Sequence, residues 1–142
     1  MGDVHPELAQ LTTAVADEAS RTQWIDACVV FGSAALSRLG PHSDVDVGWV
    51  GAGVDVAREA EFRRGLQRRL TRDLHLVDLE RAGILLRIAA VREGAVVFRR
   101  QPESWTRFAA RSIGEWLDFL PLVQRCAAGV RQAILDTGRR DG

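Results

Sequence analysis

The sequence predicts an α/β (α+β) domain in which a small mixed β-sheet is flanked by helices and followed by C-terminal helices. The chain has 142 residues, the length of one ordinary domain, and 46% of them are apolar, enough for a buried core. Short runs rich in β-branched residues alternate with segments of helical apolar spacing. We therefore expect residues 1–142 to form a single domain, with its core over about 25–98 and a helical region over about 102–137.

Hydrophobic periodicity, glycines and prolines predict the order of the elements in the first 100 residues. The order is a helix over about 6–21, a strand over 25–31, a short helix over 34–39, a strand over 45–50, an arginine-rich helix over 54–71, a strand over 74–79, a helix over 83–91 and a short strand over 95–98.

The C-terminal region carries apolar residues along one helical face, and this pattern resumes after Pro121. Because proline removes a backbone hydrogen bond, we expect two helices or one kinked helix. The face consists of Trp105, Phe108, Ile113, Trp116, Leu117 and Leu120, then Val123, Cys126, Val130 and Ile134. We expect these helices to belong to the core, with a partly exposed edge available to a partner protein.

Composition argues against several classes of protein. Nineteen basic and nineteen acidic residues give a formal net charge of zero, so we expect no direct nucleic-acid binding. No lysine is present, which excludes a lysine nucleophile or a Walker-type lysine. No secretory signal or membrane-spanning run is present, and Cys28 and Cys126 are expected to stay reduced, so a cytoplasmic protein is expected.

Two aspartates, Asp44 and Asp46, stand one residue apart at the start of the second predicted strand. Side chains alternate along a strand, so both point to one face, roughly 7 Å apart. Two carboxylates placed in this way repel each other unless a hard cation lies between them, and Mg²⁺ or Mn²⁺ suits such oxygen ligands. A solvated strand start is the alternative for an isolated Asp-x-Asp.

A glycine-serine turn strengthens the functional interpretation. Gly32 and Ser33 follow a buried strand and open a predicted helix, so backbone N–H groups there can face an anion. Glycine permits close approach of a phosphate, and the serine hydroxyl adds a donor. A phosphate-binding turn beside a pair of metal-binding carboxylates is suited to a nucleoside triphosphate.

A third carboxylate, Asp78, lies within the apolar strand that follows. If this strand pairs with that of Asp44 and Asp46, the three carboxylates are expected to converge on one metal site. Asp78 would then act as a metal ligand and as general base toward an incoming hydroxyl. Asp73 is the competing candidate, although its position at the strand edge favours a capping role.

The pattern of Gly32-Ser33, ten residues and then Asp44-Val45-Asp46 resembles the DNA polymerase β-like nucleotidyltransferase superfamily, in particular its minimal nucleotidyltransferase (MNT) branch. The resemblance covers about residues 25–98. It implies Gly32 and Ser33 as nucleotide-binding residues, and Asp44, Asp46 and Asp78 as ligands of Mg²⁺, with two ions expected. Relatives often continue the turn with Arg and a second Gly. Here Leu36 and Ser37 stand instead, and Arg38 is the candidate substitute.

The same resemblance implies a function. MNT proteins are often antitoxins that pair with a HEPN ribonuclease toxin and transfer AMP from ATP to a toxin tyrosine. For this chain the resemblance therefore implies ATP as substrate and a hetero-oligomer with such a toxin. The alternatives are an antitoxin that acts by binding alone, and a nucleotidyltransferase for a small molecule such as an aminoglycoside.

Overall fold

The computed structural model describes residues 6–32 and 45–140, and its secondary structure follows the predicted order. The elements are α1 (Pro6–Ser20), β1 (Ile25–Phe31), β2 (Val45–Gly51), α2 (Val56–Gln67), β3 (Leu74–Asp78), α3 (Ile84–Glu93), β4 (Ala95–Arg99) and α4 (Pro102–Arg140). The short helix predicted over 34–39 lies outside the described residues. The predicted fold class, a mixed sheet flanked by helices, is confirmed.

The four strands form one sheet in the order β3-β2-β1-β4. β1 lies at the centre and pairs antiparallel with both β2 and β4, whereas β2 and β3 are parallel. β2 is therefore paired along both of its edges. Asp46, near its start, is in register with Phe31 on one side and with His75 on the other.

Both faces of the sheet are covered, because β1 and β2 bury residues on both of their sides. On one face, Val47 and Trp49 of β2 pack with Val15 of α1 and with Phe62 and Leu66 of α2. The opposite face packs against α3 and α4 through a second apolar cluster. This cluster consists of Ala27, Val29, Phe31, Val50, Val77, Leu79, Ala90, Trp105 and Phe108. Asp46 interrupts an otherwise buried run in β2, so its polarity needs a local explanation.

Polar contacts hold the elements in place. Arg100, after β4, donates to the carbonyl oxygens of Ile25, Ala19 and Thr22 at 2.8, 3.2 and 2.9 Å. It therefore ties the end of α1 and the start of β1 to the far edge of the sheet. The carboxylate of Asp55 accepts from the Arg58 N–H at 2.8 Å and caps the start of α2, a contact worth about 1 kcal/mol.

The C-terminal region is one continuous helix of 39 residues with Pro121 inside it. Trp105, Phe108 and Ser112 are buried against the body of the domain. Farther along, the expected assignment of the C-terminal helices to the core is wrong, since Val130 is 61% exposed and Ile134 66% exposed. No helix in the described residues is long and apolar enough to cross a membrane.

Candidate active site

Gly32 and Asp46 come together at the end of β1 and the start of β2. Gly32 has a φ of +77°, a left-handed conformation that glycine adopts at little cost. A Cβ built on Gly32 would overlap Oδ2 of Asp46, so the carboxylate lies directly against the main chain of the turn. Glycine is required here both by its φ and by the space that this carboxylate occupies.

The other oxygen of the same carboxylate contacts the neighbouring strand. Oδ1 of Asp46 lies 2.9 Å from Nδ1 of His75, the residue directly across the parallel β2–β3 pair. The Asp46 side chain is 27% exposed and the His75 side chain 68% exposed. The contact therefore lies at the surface and fixes the orientation of the carboxylate. Nε2, the other ring nitrogen of His75, takes no part in this contact.

The structure does not bring Asp78 to this place. Asp78 is in register with Trp49, three residues farther along β2 than Asp46, which is about 10 Å at the rise of a strand. His75 and Asp78 are three positions apart along β3, an odd number, so the two side chains point to opposite faces of the sheet. The expectation that Asp78 converges with Asp46 is therefore wrong, because the register of β3 on β2 keeps the two side chains apart.

Asp78 has local hydrogen-bond partners instead. Its Oδ1 accepts from the backbone N–H groups of Glu80 and Arg81, at 3.0 and 3.4 Å, and its Oδ2 lies 3.6 Å from Nε of Arg81. Such contacts are typical of an aspartate that closes a turn at the end of a strand. Glu80, in that turn, makes a two-oxygen ion pair with Arg111 of α4 at 2.7 and 2.8 Å. Asp78 thus holds the connection between the sheet and α4.

Three predicted site residues, Ser33, Arg38 and Asp44, lie outside the described residues, so their predicted roles in binding nucleotide and metal stay predictions. Within 6–32 and 45–140, no group of three or more potential metal-binding side chains assembles. Asp73, the competing candidate, is exposed and directly precedes β3, at the same end of the sheet as Asp46 and His75.

His75 is the residue that sequence reasoning missed, since it is not among the predicted site residues. Its sequence position gave one usable signal, since the alternation along β3 places it on the face opposite to Asp78. The register of β3 against β2 places His75 beside Asp46, and this register cannot be read from the spacing of residues along the chain.

The fold and this site define the class of the protein as a nucleotidyltransferase domain. Residues 14–103 match the family model described as "Polymerase beta, Nucleotidyltransferase", and the chain belongs to that family. The resemblance inferred from Gly32-Ser33 and Asp44-Val45-Asp46 is thereby confirmed. No curated protein sequence matches the chain.

Solved structures with the same fold come from toxin–antitoxin complexes. One was solved with AMP-PNP and matches with a TM-score of 0.72 at 21% identity, over 84% of this chain and 98% of that chain. A MntA–HepT toxin–antitoxin structure matches at 0.67 and 20% identity, over 87% and 98%. A third contains a tri-AMPylated Shewanella oneidensis HEPN toxin with an MNT antitoxin and matches at 0.65 and 19% identity, over 88% and 98%.

Proposed function

We propose that this chain is the antitoxin of a toxin–antitoxin pair and that it transfers AMP from ATP to a tyrosine hydroxyl of a HEPN ribonuclease toxin. The observation that carries the proposal is the contact between Gly32 and the Asp46 carboxylate, which joins the expected phosphate turn and the expected metal-binding strand in one site. Family membership supports nucleotidyl transfer as the class of reaction.

The reaction needs a triphosphate held in line with an acceptor hydroxyl. The hydroxyl oxygen attacks the α-phosphorus of ATP, its proton passes to solvent water, and the bond from the α-phosphorus to the bridging oxygen breaks to release pyrophosphate. Gly32 lets the phosphates approach the main chain beside Asp46, and Ser33 adds a hydroxyl donor. His75 holds Asp46 in the orientation that this geometry needs.

The donor chemistry at Asp46 fits a hard divalent cation. One carboxylate oxygen lies against Gly32, where there is no side chain, and a second carboxylate, Asp44, stands two positions earlier in the sequence. Asp44 and Asp46 would hold Mg²⁺, or Mn²⁺ in its place, in this role. When bound, the metal would neutralise charge on the phosphates and the leaving pyrophosphate. Asp78 lies on the other face of the sheet, and we assign it to the turn after β3, in which Glu80 pairs with Arg111 of α4.

The proposed partner follows from the relatives. Structures that share this fold contain a HEPN toxin, in one case with three AMP groups on it, and another contains the ATP analogue AMP-PNP. We propose that this chain likewise forms a hetero-oligomer with a HEPN toxin in the cytoplasm.

A direct test mixes the purified protein and the product of the neighbouring gene with ATP and Mg²⁺, and follows the mass of the toxin. The proposal expects a mass increase by whole AMP units, dependent on both ATP and the divalent cation. Peptide mapping then expects the adduct on tyrosine.

A second candidate, neutralisation by binding alone, is favoured by Leu36 and Ser37, which replace the Arg and Gly frequent in relatives. The same assay separates the two. If the complex forms and the ribonuclease is silent while the toxin mass stays unchanged under all conditions, inhibition is steric and the catalytic proposal is wrong.

A further inference from the structure

β3 brings an imidazole, not a carboxylate, to the proposed metal site. His75 is directly across from Asp46 in the parallel β2–β3 pair, and its Nδ1 lies 2.9 Å from Oδ1 of Asp46. The carboxylate of β3, Asp78, points to the other face and is held by its own turn. The side chain of β3 that meets the Asp46 carboxylate is therefore a nitrogen donor.

The exposure of His75 excludes a role in the core. Leu74 and Leu76, on either side of it in β3, are buried, whereas the His75 side chain is 68% exposed. The alternation of the strand thus directs the imidazole to the surface, where water and ions reach it. An ion pair with a partner this exposed contributes little to the stability of the fold. Stability therefore does not account for a histidine at this position.

The distance between the two side chains suits a shared cation as well as a hydrogen bond. Two neighbouring ligands of an octahedral ion, each bonded at about 2.1 Å, lie about 3 Å apart. Nδ1 of His75 and Oδ1 of Asp46 are separated by 2.9 Å. In the hydrogen bond a proton lies between these two atoms, and a metal ion can take its place after small rotations of the side chains. An imidazole that ligates through Nδ1 carries its proton on Nε2, which takes no part in the Asp46 contact.

The type of donor atom decides which cations such a site favours. Mg²⁺ is held by oxygen ligands, whereas imidazole nitrogen suits divalent ions of the first transition row. The affinity of mixed nitrogen and oxygen sites rises from Mn²⁺ through Co²⁺ to Cu²⁺. Compared with the three carboxylates expected from the sequence, a site that contains an imidazole also has one negative charge fewer. Both differences weaken the binding of Mg²⁺ relative to that of a transition-metal ion.

We propose that His75 is a metal ligand through Nδ1, together with Asp46, and that it makes the site selective for a transition-metal ion such as Mn²⁺ or Co²⁺ over Mg²⁺. This role rests on the metal site of the proposed function and specifies the class of ion that the site takes. It goes beyond orientation of Asp46 by His75. Orientation of a carboxylate affects every divalent cation alike, whereas a nitrogen ligand affects Mg²⁺ least.

The first measurement compares the dissociation constants of Co²⁺, Mn²⁺ and Mg²⁺ by titration calorimetry, on the full chain purified without a histidine tag. Loss of a ligand in His75→Ala is expected to weaken Co²⁺ and Mn²⁺ binding by at least about 10-fold, the smallest effect typical of losing a ligand's partner. Mg²⁺ binding is expected to change much less, so the preference for Co²⁺ over Mg²⁺ falls. His75→Asp supplies an oxygen ligand at the same position, and it is expected to strengthen Mg²⁺ binding and lower the preference further. Far-ultraviolet circular dichroism checks the fold of each variant.

The second measurement detects the ligating nitrogen itself. Pulsed electron paramagnetic resonance resolves the coupling of bound Mn²⁺ to a ligand nitrogen, and labelling of histidine with ¹⁵N assigns this nitrogen to an imidazole. The chain has three histidines, and His42→Ala, at a histidine close to Asp46 in the sequence, is the matched control. At Mn²⁺ concentrations that saturate each variant, we expect the imidazole signal in the parent and in His42→Ala, and its loss in His75→Ala.

Asp46→Asn separates a failure of this role from a failure of the proposed function. If the parent binds no divalent cation, or if Asp46→Asn binds it as tightly as the parent, the metal site itself is wrong and the ligand role of His75 is overturned with it. If Asp46→Asn loses binding while His75→Ala weakens all three ions equally, or keeps the imidazole signal, only the ligand role is overturned. Equal weakening would leave His75 as a residue that orients Asp46.

Discussion

Asp46 and Asp78 are both aspartates on neighbouring strands of the same sheet, yet they occupy opposite environments. Among the residues that the structure describes, the carboxylate of Asp46 contacts the side-chain-free surface of Gly32 and the imidazole of His75, and no backbone N–H of β2 donates to it. The carboxylate of Asp78 is occupied by two backbone N–H groups and by Arg81 in the turn that follows.

The difference indicates which of the two carboxylates is available to a ligand. An aspartate whose oxygens accept the N–H groups of the next turn stabilises that turn and has little capacity for a ligand. An aspartate held by one side chain at the surface, facing a glycine, keeps lone pairs for a cation. Both residues are aspartates within apolar strands, so their charge does not distinguish them, whereas their hydrogen-bond partners do.

The largest expected effect is on AMP transfer by Asp46→Asn. Removal of one anionic ligand of the proposed metal site is expected to lower the transfer rate by at least about 10²-fold, with the fold retained. The matched change Asp78→Asn is expected to leave the rate close to that of the parent, since Asp78 is on the other face. Mass spectrometry of the toxin over time measures both. Equal losses in the two variants would contradict the assignment.

The next effect tests the contact between the turn and Asp46. Gly32→Ala introduces a Cβ that overlaps the carboxylate and also strains a residue with φ of +77°. The control is Gly53→Ala, where φ is +71° but the nearest atom to a new Cβ is Nη1 of Arg58 at 3.9 Å. Both variants are expected to lose about 1 kcal/mol from the backbone conformation. Only Gly32→Ala is expected to lose Mn²⁺ binding, measured by electron paramagnetic resonance. Retained binding would mean that the carboxylate can move freely.

A smaller effect is expected from His75→Ala. Loss of the Nδ1 contact leaves Asp46 without its cross-strand partner, and we expect Mn²⁺ affinity to fall by about 10-fold, since partners of metal ligands typically contribute 10–100-fold. The free energy of unfolding should change little because His75 is exposed. His75→Asn, which places an amide donor near the position of Nδ1, should recover part of the affinity. Unchanged affinity in His75→Ala would remove the positioning role.

The smallest expected effect is on stability at the other carboxylate. Asp78→Ala leaves the N–H groups of Glu80 and Arg81 without their side-chain acceptor, a loss of about 1 kcal/mol in the free energy of unfolding. Urea unfolding measures it, with Asp73→Ala as a control at an exposed aspartate. A loss of Mn²⁺ binding in Asp78→Ala, with an unchanged free energy of unfolding, would show that Asp78 belongs to the metal site and not to the turn.

Most of the fold could be predicted from the sequence because its signals are local. The type and the order of the elements follow from the β-branched runs of β1 and β2, the helical spacing in α1, and the glycines and prolines between elements. None of these signals depends on contacts with distant residues. The Gly32-Ser33 and Asp44-Val45-Asp46 patterns were accessible for the same reason, since they lie within a span of 15 residues along the chain.

The tertiary structure alone decided which distant residues share the site. Strand alternation makes the face of a residue depend on register, and a shift by one position moves every side chain to the other face. The register of β3 on β2 therefore placed His75, not Asp78, beside Asp46, and the core packing includes only the first part of α4, whose residues 124–139 are all exposed. The sequence by itself determined the elements and the family, while long-range pairing and burial, which depend on the whole sheet, determined the partners of each carboxylate and the free length of α4.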